Sequence, residues 1–398
     1  MNSDLKKFVY KKNYNDYFLN FGYRAFGPIL FSFCKWLKKE CSTNNIDKIY
    51  FLARDGYILK KAFNIIDKEH EFKTFYFYAS RRSIIVPSLH KIKKPIEIFS
   101  AITFEKEIKM KSIIKKVGLE DYDLTEYLNK YKFDYDSVIK KKEIYNNAEL
   151  EKFLEEIYPI IEHNSKLEYV SFLRYKKKNE FFGKVAIVDI GWFGSMQRAL
   201  NVIADDTDMY GYYLGLYPYG NFYDNNKSKG FMFDKDHDIK NYEYIKNCLT
   251  IFEFMTLAQH GSVKRFNDSE ENVEFYKYEY ENSIDKEKVQ NIQIGGLNFV
   301  KDYLIQNKEI SINEALQEFL KHTLTPTCKD AKELGNIQFF DNDFQYIAKP
   351  NRSIIQIKNF LAEYKKSSWK IGFMKRTLKI KLPYMQITDF LRKRYSNE

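Results

Sequence analysis

The stretch from Lys184 to Gln197, KVAIVDIGWFGSMQ, constrains the fold more than any other part of this sequence. Its apolar run at 185–188 predicts a strand that is buried on both faces, with Asp189 at the strand end. Gly191 and Gly194 allow a tight turn, and Ser195 is a suitable N-cap for the amphipathic helix pattern that follows. A strand, a glycine turn and a helix in this order predict an α/β unit.

The start of this helix offers free backbone N–H groups and a positive dipole end, and both favour an anion such as phosphate. Glycine turns between a strand and a helix also occur widely in α/β proteins for packing reasons alone. The glycine patterns GxGxxG and GxxxxGK[ST] are both missing from the stretch, since its glycines are spaced GxxG and no lysine follows. The turn therefore suggests a phosphate without identifying the ligand.

Helical and strand patterns alternate on both sides of this stretch. A helix pattern begins at Pro28, a strand is predicted at Ile49–Leu52, a second helix near Tyr57 and a second strand at Phe72–Tyr78. Another strand is predicted at Tyr210–Tyr217. The alternation predicts an α/β fold with a mainly parallel sheet, flanking helices, a large helical insertion and a helical C-terminal region.

Changes in composition and spacing suggest how the chain is organised. Residues 1–100 and 181–270 are expected to form the α/β core, and 101–180 has the spacing of a helical insertion. A second helical region is predicted at 271–362, followed by a basic amphipathic tail at 363–398.

Charge and composition narrow the classes of partner. The 44% of residues that are hydrophobic indicate a folded protein. The formal net charge of +11 is compatible with nucleic acid, a phosphorylated small molecule or an anionic membrane surface as partner, and charge alone does not choose among them. The four cysteines form no CxxC pair, so a reduced, cytoplasmic environment is the expectation. The N-terminal residues have no apolar signal-peptide region, and the apolar runs are too short to span a bilayer.

The tail from Lys365 to Arg394 interleaves basic residues with aromatic ones. Such a segment can lie on an anionic membrane surface, or it can be a solvated helix packed on the body of the protein. A nucleic-acid partner is not expected, because no recognised nucleic-acid-binding motif accompanies the charge.

Three loops would leave the carboxyl ends of parallel strands, where ligands bind in open α/β sheets. They are Ala53–Gly56, Ser80–Arg82 and Asp189–Ser195. Together they would bring carboxylates, arginine forks and glycine N–H groups into one crevice, a set suited to a ligand with separated phosphates. The candidate residues are Arg54, Asp55, Gly56, Arg81, Arg82, Asp189, Gly191, Gly194 and Ser195.

Ordinary structural roles compete with this interpretation. Asp55 is also suited to capping the next helix, and arginines often form surface ion pairs. Adjacent residues on a strand point in opposite directions, so only one of Arg81 and Arg82 is expected to face the crevice. Glu253 and His260 would share one face if the chain between them were helical, as an acid–base or metal pair would, although an isolated histidine is more often structural.

Asp55-Gly56 after an apolar strand is also similar to the haloacid-dehalogenase phosphatase motif, an apolar strand followed by DxD. In that motif the first aspartate is the nucleophile. Ala53 occupies the corresponding position, and a methyl group cannot attack phosphorus. A phosphohydrolase is therefore retained only as the alternative enzyme class.

Four segments resemble one family. IYFLARDGYIL, FYFYASRRSIIVPSL, VDIGWFGSMQRAL and FGYRAFGPILFSFCKWL resemble the domain that follows a haloacid-dehalogenase-type phosphatase in bacterial dual-domain ribofuranosyltransferases of capsule and O-antigen synthesis. That domain is a glycan phosphoribosyltransferase. The resemblance runs from about Phe21 to Ser262, and CKDAKELGNIQFFDNDF extends it weakly to about Phe344.

The resemblance implies phosphoribosyl pyrophosphate as donor, a lipid-linked glycan as acceptor and Mg²⁺ as cofactor. It implies that Arg54, Arg81 and Arg82 contact pyrophosphate, that Asp189 contacts the ribose hydroxyls or the metal, and that Gly191, Gly194 and Ser195 contact the 5-phosphate. Asp55 would be the base or a metal contact, with Glu253 and His260 as second choices.

Because no phosphatase domain precedes the matching segments, a separate phosphatase is expected to act on the product. The implied location is peripheral, on the inner face of the cytoplasmic membrane. A non-catalytic scaffold that binds glycan or membrane is the alternative outside enzymes.

Overall fold

The computed structural model describes residues 3–102, 104, 106–218, 227–268, 272–341, 343–350 and 357–395. The strands in this part of the chain are β1 (Lys48–Leu52), β2 (Lys73–Phe77), β3 (Glu107–Lys109), β4 (Val138–Lys140), β5 (Gly183–Trp192), β6 (Thr207–Leu216), β7 (Ser228–Gly230), β8 (Val263–Phe266), β9 (Val273–Phe275), β10 (Gln338–Asp341) and β11 (Asp343–Tyr346).

The α-helices are α1 (Ser3–Lys11), α2 (Tyr17–Phe21), α3 (Gly27–Thr43), α4 (Gly56–Ile66), α5 (Arg81–Ile85), α6 (Ile98–Ala101), α7 (Met110–Lys116), α8 (Thr125–Lys130), α9 (Ala148–Lys178), α10 (Ser195–Ile203), α11 (Ile239–Ile245), α12 (Leu249–Thr256), α13 (Ile284–Leu304), α14 (Ile312–Leu324), α15 (Cys328–Glu333), α16 (Ile357–Lys366), α17 (Lys370–Leu378) and α18 (Tyr384–Tyr395). A π-helical turn covers Gly22–Phe26, and 3-10 turns cover Val86–Lys91, Pro95–Glu97, Lys141–Asn146 and Leu334–Asn336.

The central sheet is entirely parallel, with the order β2-β1-β5-β6-β7. The predicted α/β class is therefore confirmed, as are the helices and strands expected on either side of the glycine turn. β2 lies on one side of β1, and β5, β6 and β7 follow one another on the other side. The order thus reverses between β1 and β5, and at such a point a crevice opens beyond the carboxyl ends of the strands.

Successive side chains of β1 alternate between two hydrophobic clusters, one on each face of the sheet. Ile49 and Phe51 lie in the larger cluster with residues of α3, α4 and α13. Tyr50 and Leu52 lie in the other cluster, which includes residues of α5, α9 and α10. Because both faces are covered by helices, the strand sequence is apolar throughout.

The inserted region has a hydrophobic cluster of its own, from Val86 to Ile161. It is mainly helical, as expected, and also contains an antiparallel ladder of β3 and β4. The 31-residue α9 leaves this cluster and reaches the sheet, where Phe172 and Tyr175 join the second face. The cluster therefore begins before residue 101, and α9 ties it to the core.

The aromatic residues of the tail pack mostly on the body. Trp369, Phe373 and Tyr384 are buried in the larger cluster, and the Trp369 Nε1 donates to the Thr323 carbonyl at 2.9 Å. Residues 396–398 of the predicted tail lie outside the described residues. No helix in the described part of the chain is both long and apolar enough to cross a bilayer.

Asp330 is a buried carboxylate, 4% exposed, in α15. It links this helix to α2 and α14. It accepts hydrogen bonds from Tyr17 Oη and His322 Nδ1, both at 2.8 Å, and from the backbone N–H and hydroxyl of Thr327, the N-cap of α15. Burial alone would raise the pKa of Asp330, but the bonds from His322 and Thr327 outweigh it and hold the pKa at about 2.

We predict that Asp330→Asn lowers the free energy of unfolding at neutral pH by about 2 kcal/mol. The folded-state pKa lies below the unfolded value of about 4, so this stability is present above pH 4 and is lost as the pH falls towards 2. Urea unfolding at pH 7 and pH 3 measures the loss of unfolding free energy and its dependence on pH. Asp268→Asn is the control, because Asp268 is exposed and its ion pair with Arg174 should contribute little.

Candidate active site

The carboxyl ends of β1 and β5 bring Asp55 and Asp189 together. Val188 pairs with Phe51, so Asp189 lies beside Leu52. Leu52 is only three positions before Asp55 in the sequence. Asp55 immediately precedes α4, and Gly56 begins that helix. A Cβ atom on Gly56 would lie 2.7 Å from the backbone carbon of Phe51, so this helix start packs directly on the strand.

The two carboxyl groups influence each other's ionisation. Burial raises the pKa of Asp189 to about 8, and the negative charge of Asp55 contributes to this rise. Burial also raises the pKa of Asp55, while a hydrogen bond from Thr256 and the charges of Arg54 and Arg81 oppose it. Two carboxylates that disfavour each other's charge in a partly desolvated crevice are typical of a functional site.

Thr256, the last residue of α12, was not identified from the sequence. It is fully buried, and its hydroxyl donates to Asp55 Oδ1 at 2.6 Å. One turn earlier, Glu253 accepts from the Trp192 Nε1 at 3.1 Å. The signal for Thr256 was its i+3 spacing from Glu253, but only the fold brings α12 to the end of β1.

His260 lies beyond the end of α12, so the chain between Glu253 and His260 is not helical throughout and the condition for a shared helical face is not met. The His260 Nδ1 is 2.8 Å from the Gly261 carbonyl, which can only accept a hydrogen bond. With the proton on Nδ1, Nε2 accepts from Tyr76 Oη at 2.7 Å. Tyr76, a β2 residue that sequence reasoning missed, therefore orients the imidazole, and the negative charge of Asp55 acts on the Tyr76 hydroxyl.

The three arginines have different surroundings. Arg82 is held between Glu120 at 3.0 Å and Glu168 at 2.5 Å, and its side chain is 8% exposed. Its geometry is that of a structural ion-pair network, and we do not carry it forward as a phosphate contact. Arg54 pairs with Glu279 at 3.0 Å and keeps a quarter of its side chain exposed. Arg81 is exposed, and its positive charge lowers the pKa of both Asp55 and Asp189.

The glycine turn differs in detail from the expectation. β5 continues to Trp192, so Asp189 and Gly191 lie within the strand. Gly191 has φ = 116°, and a Cβ atom there would lie 2.0 Å from the Gly215 carbonyl oxygen of β6. Gly194, with φ = 60°, is the N-cap of α10, and Ser195 is the first helical residue instead of the cap.

A cavity of about 360 Å³ opens between α5 and α10. Arg81 and Ser195 line it, which connects the cavity to the crevice at the aspartates. Lys91 and Arg198 also line it, and neither was identified from the sequence. The walls between these polar groups are aliphatic, formed by Ile85, Ile92, Met196, Ala199 and Val202. Cations around a cavity at a helix N-terminus suit a phosphate ester.

Asp55 and Asp189 fit a magnesium ion that arrives with its substrate. Mg²⁺ is commonly held by one or two carboxylates and by substrate phosphate oxygens. Within the described ranges, His, Cys, Asp and Glu side chains nowhere gather in a group of three or more suited to a metal. The pair is therefore suited to a metal shared with a phosphorylated ligand.

Comparison with known proteins finds no matching family model and no matching curated protein.

The raised pKa of Asp189 predicts that this carboxylate costs stability. Its folded-state pKa of about 8 lies above the unfolded value of about 4, so stability should fall as the pH rises from 4 to 8. We expect Asp189→Asn to raise the melting temperature by roughly 2 °C or more, with the gain larger at pH 8.5 than at pH 6. Calorimetry in the presence of a chelator measures this.

Asp330→Asn is the matched comparison, since it makes the same chemical change at a buried site where the pKa is lowered instead of raised. The two variants should change stability in opposite directions. A lower melting temperature for Asp189→Asn across this pH range would contradict the electrostatic account of the pair.

Proposed function

We propose that this protein is a Mg²⁺-dependent glycan phosphoribosyltransferase that moves 5-phosphoribosyl from phosphoribosyl pyrophosphate to a sugar hydroxyl of a growing surface polysaccharide. The observation that carries the proposal is the pairing of Asp55 and Asp189 beside Arg81, at the reversal of strand order and next to a cationic cavity. The resemblance of the loop sequences names the donor. The site supplies the charge pattern that such a donor requires.

The donor presents phosphate at both ends of a ribose ring. Arg54 and Arg81 act on the aspartates, and further cations lie in the wall of the cavity that Arg81 lines. Arg81 and Arg54 are suited to the pyrophosphate, because guanidinium forks bind phosphate oxygens bidentately. Ser195 at the start of α10, with Arg198 in the cavity wall one turn further along the helix, suits the 5-phosphate. Lys91 Nζ donates to the Val202 carbonyl near the other end of α10 at 2.6 Å, so it contributes only to the charge of the cavity. Asp189 between these groups would accept hydrogen bonds from the ribose hydroxyls.

In the proposed reaction, a bond forms between the acceptor oxygen and ribose C1 as the bond from C1 to the pyrophosphate oxygen breaks. The leaving pyrophosphate takes the bonding electrons, and Asp55 takes the proton of the acceptor hydroxyl. Thr256 positions the Asp55 carboxylate through its hydrogen bond. Asp55 and Asp189 would hold Mg²⁺, which would offset negative charge on the pyrophosphate.

Transfer is tested with purified protein, Mg²⁺, labelled phosphoribosyl pyrophosphate and a panel of synthetic and lipid-linked glycans. We expect label in the glycan and a loss of about 100-fold or more in Asp55→Asn, the scale of a general base. Asp268→Asn, at an exposed site, should retain full activity. No glycan-bound ribose phosphate across a broad panel would argue strongly against the transferase.

The same samples separate the alternatives. Phosphate release from sugar phosphates that survives in Asp55→Asn would favour a phosphohydrolase, which Ala53 disfavours chemically. A non-catalytic scaffold predicts that phosphoribosyl pyrophosphate with Mg²⁺ leaves the melting temperature unchanged. The transferase predicts an increase, because a ligand at 100 times its Kd stabilises the folded state by about 2.7 kcal/mol.

Ser195→Asp should weaken donor binding at least about tenfold, because it places a negative charge where the 5-phosphate would bind. Ser195→Asn, which is close in size and neutral, should bind within about threefold of the wild type. Calorimetric titration of donor measures both. An acid in the first turn of a helix is not itself destabilising, so the melting temperature should be maintained. Equal affinities in the two variants would remove Ser195 from the site.

The proposal also specifies the acceptor and the fate of the product. The acceptor would be a lipid-linked glycan of capsule or O-antigen assembly, reached from the inner face of the cytoplasmic membrane. The product would keep its 5-phosphate, and a separate phosphatase would remove it.

A further inference from the structure

The connection between α17 and α18 exposes aliphatic side chains, and we call residues 378–383 the aliphatic loop. Leu378 is 41% exposed, Ile380 55% and Leu382 38%. Lys379 and Lys381 lie between them and are exposed as well. An alternation of exposed aliphatic and basic side chains brings unfavourable apolar surface and positive charge to the same place.

The backbone of the aliphatic loop is held by hydrogen bonds from the buried Tyr384 and from the half-buried Lys375. The Ile380 carbonyl accepts a hydrogen bond from Tyr384 Oη at 2.6 Å and another from Lys375 Nζ at 3.2 Å. Tyr384 is only 4% exposed, and Lys379 ends α17 in the left-handed conformation with φ = 59°. The aliphatic side chains are therefore displayed by a fixed structure.

The chain segment that contains the loop carries charge of one sign. Between Glu363 and Asp389 the chain contains seven basic residues and no acidic one. From neighbouring α15, the negative charge of Glu333 acts on Arg376 of α17. A second copy of the loop would bring lysines against lysines, which disfavours self-association.

We infer that the aliphatic loop inserts into the headgroup region of an anionic lipid bilayer, with Leu378, Ile380 and Leu382 in the acyl boundary and Lys379 and Lys381 at the lipid phosphates. An anionic bilayer has an apolar interior that can bury the aliphatic side chains and a negative surface that can pair with the lysines. The inference rests on the proposed function only for the membrane location of the acceptor. It gives the short loop, instead of the whole basic tail, the role of membrane contact.

Vesicle co-sedimentation tests this with the full chain and vesicles of phosphatidylcholine, with or without phosphatidylglycerol. The wild type should bind the anionic vesicles, with affinity that falls as salt is raised. A triple variant, Leu378→Ser with Ile380→Ser and Leu382→Ser, should bind at least about tenfold more weakly. Lys379→Gln with Lys381→Gln should lose the preference for anionic vesicles.

The matched control is a second triple variant, Ile284→Ser with Ile294→Ser and Ile305→Ser. These isoleucines are on average more exposed than the three loop side chains, at 73%, 49% and 79%, and lie on or next to α13. This control should bind vesicles like the wild type. Equal binding by both triple variants, or an unchanged affinity in the loop variant, would overturn the inference.

Size-exclusion chromatography and a transfer assay distinguish membrane contact from self-association and from a role in the transfer reaction. Size-exclusion chromatography of the loop variant would reveal a contact between copies, which contradicts the inference if the wild type is dimeric and the variant monomeric. Transfer to a water-soluble acceptor should be unchanged by the loop variant. Loop-dependent vesicle binding without any transfer activity would leave this inference standing while the proposed function fails.

Discussion

The electrostatic conflict between Asp55 and Asp189 is the interaction around which the rest of the site is arranged. Both carboxyl groups lie where β1 and β5 meet, and burial together with mutual repulsion opposes their ionisation. A fold selected for stability alone would not retain such a pair, since buried like charges are costly. The surrounding groups moderate this cost: Arg81 contributes charge, and Thr256 contributes a hydrogen bond.

The arrangement of the arginines follows from how firmly each is already held. Arg82 is almost enclosed between Glu120 and Glu168, so it links α5 to the inserted region. Arg81, its neighbour on the same helix, is exposed and acts on both aspartates. Fixing one arginine therefore positions the other, and the inserted region supports the site even though its hydrophobic cluster is separate.

The cavity gives the site two ends with different chemistry. At the aspartates the groups are acidic and partly buried, whereas between α5 and α10 the walls are aliphatic with cations around them. A ligand with one phosphate at each end of a polar ring matches this distribution. The aliphatic loop connects α17 to α18, and the membrane contact proposed for it does not depend on the chemistry at the aspartates.

The helices and strands of the core were predictable because their signals are local. The apolar run before Asp189 and the helix pattern after Pro28 both depend on residues within a few positions of each other. The parallel sheet followed from their alternation, and so did the expectation that Asp55 and Asp189 lie at one edge. Local patterns did not set the end of β5, because pairing with β6 extends it to Trp192.

The partners of the site residues were decided by tertiary structure. Thr256 meets Asp55 across 201 positions and Tyr76 meets His260 across 184, and no local spacing encodes such contacts. The difference between Arg81 and Arg82 depends on carboxylates from the inserted region. By itself the sequence determined the α/β fold and the loops that carry the chemistry, since periodicity and turn residues act locally. Only the folded chain decided which side chains meet, because burial and charge are properties of the assembled neighbourhood.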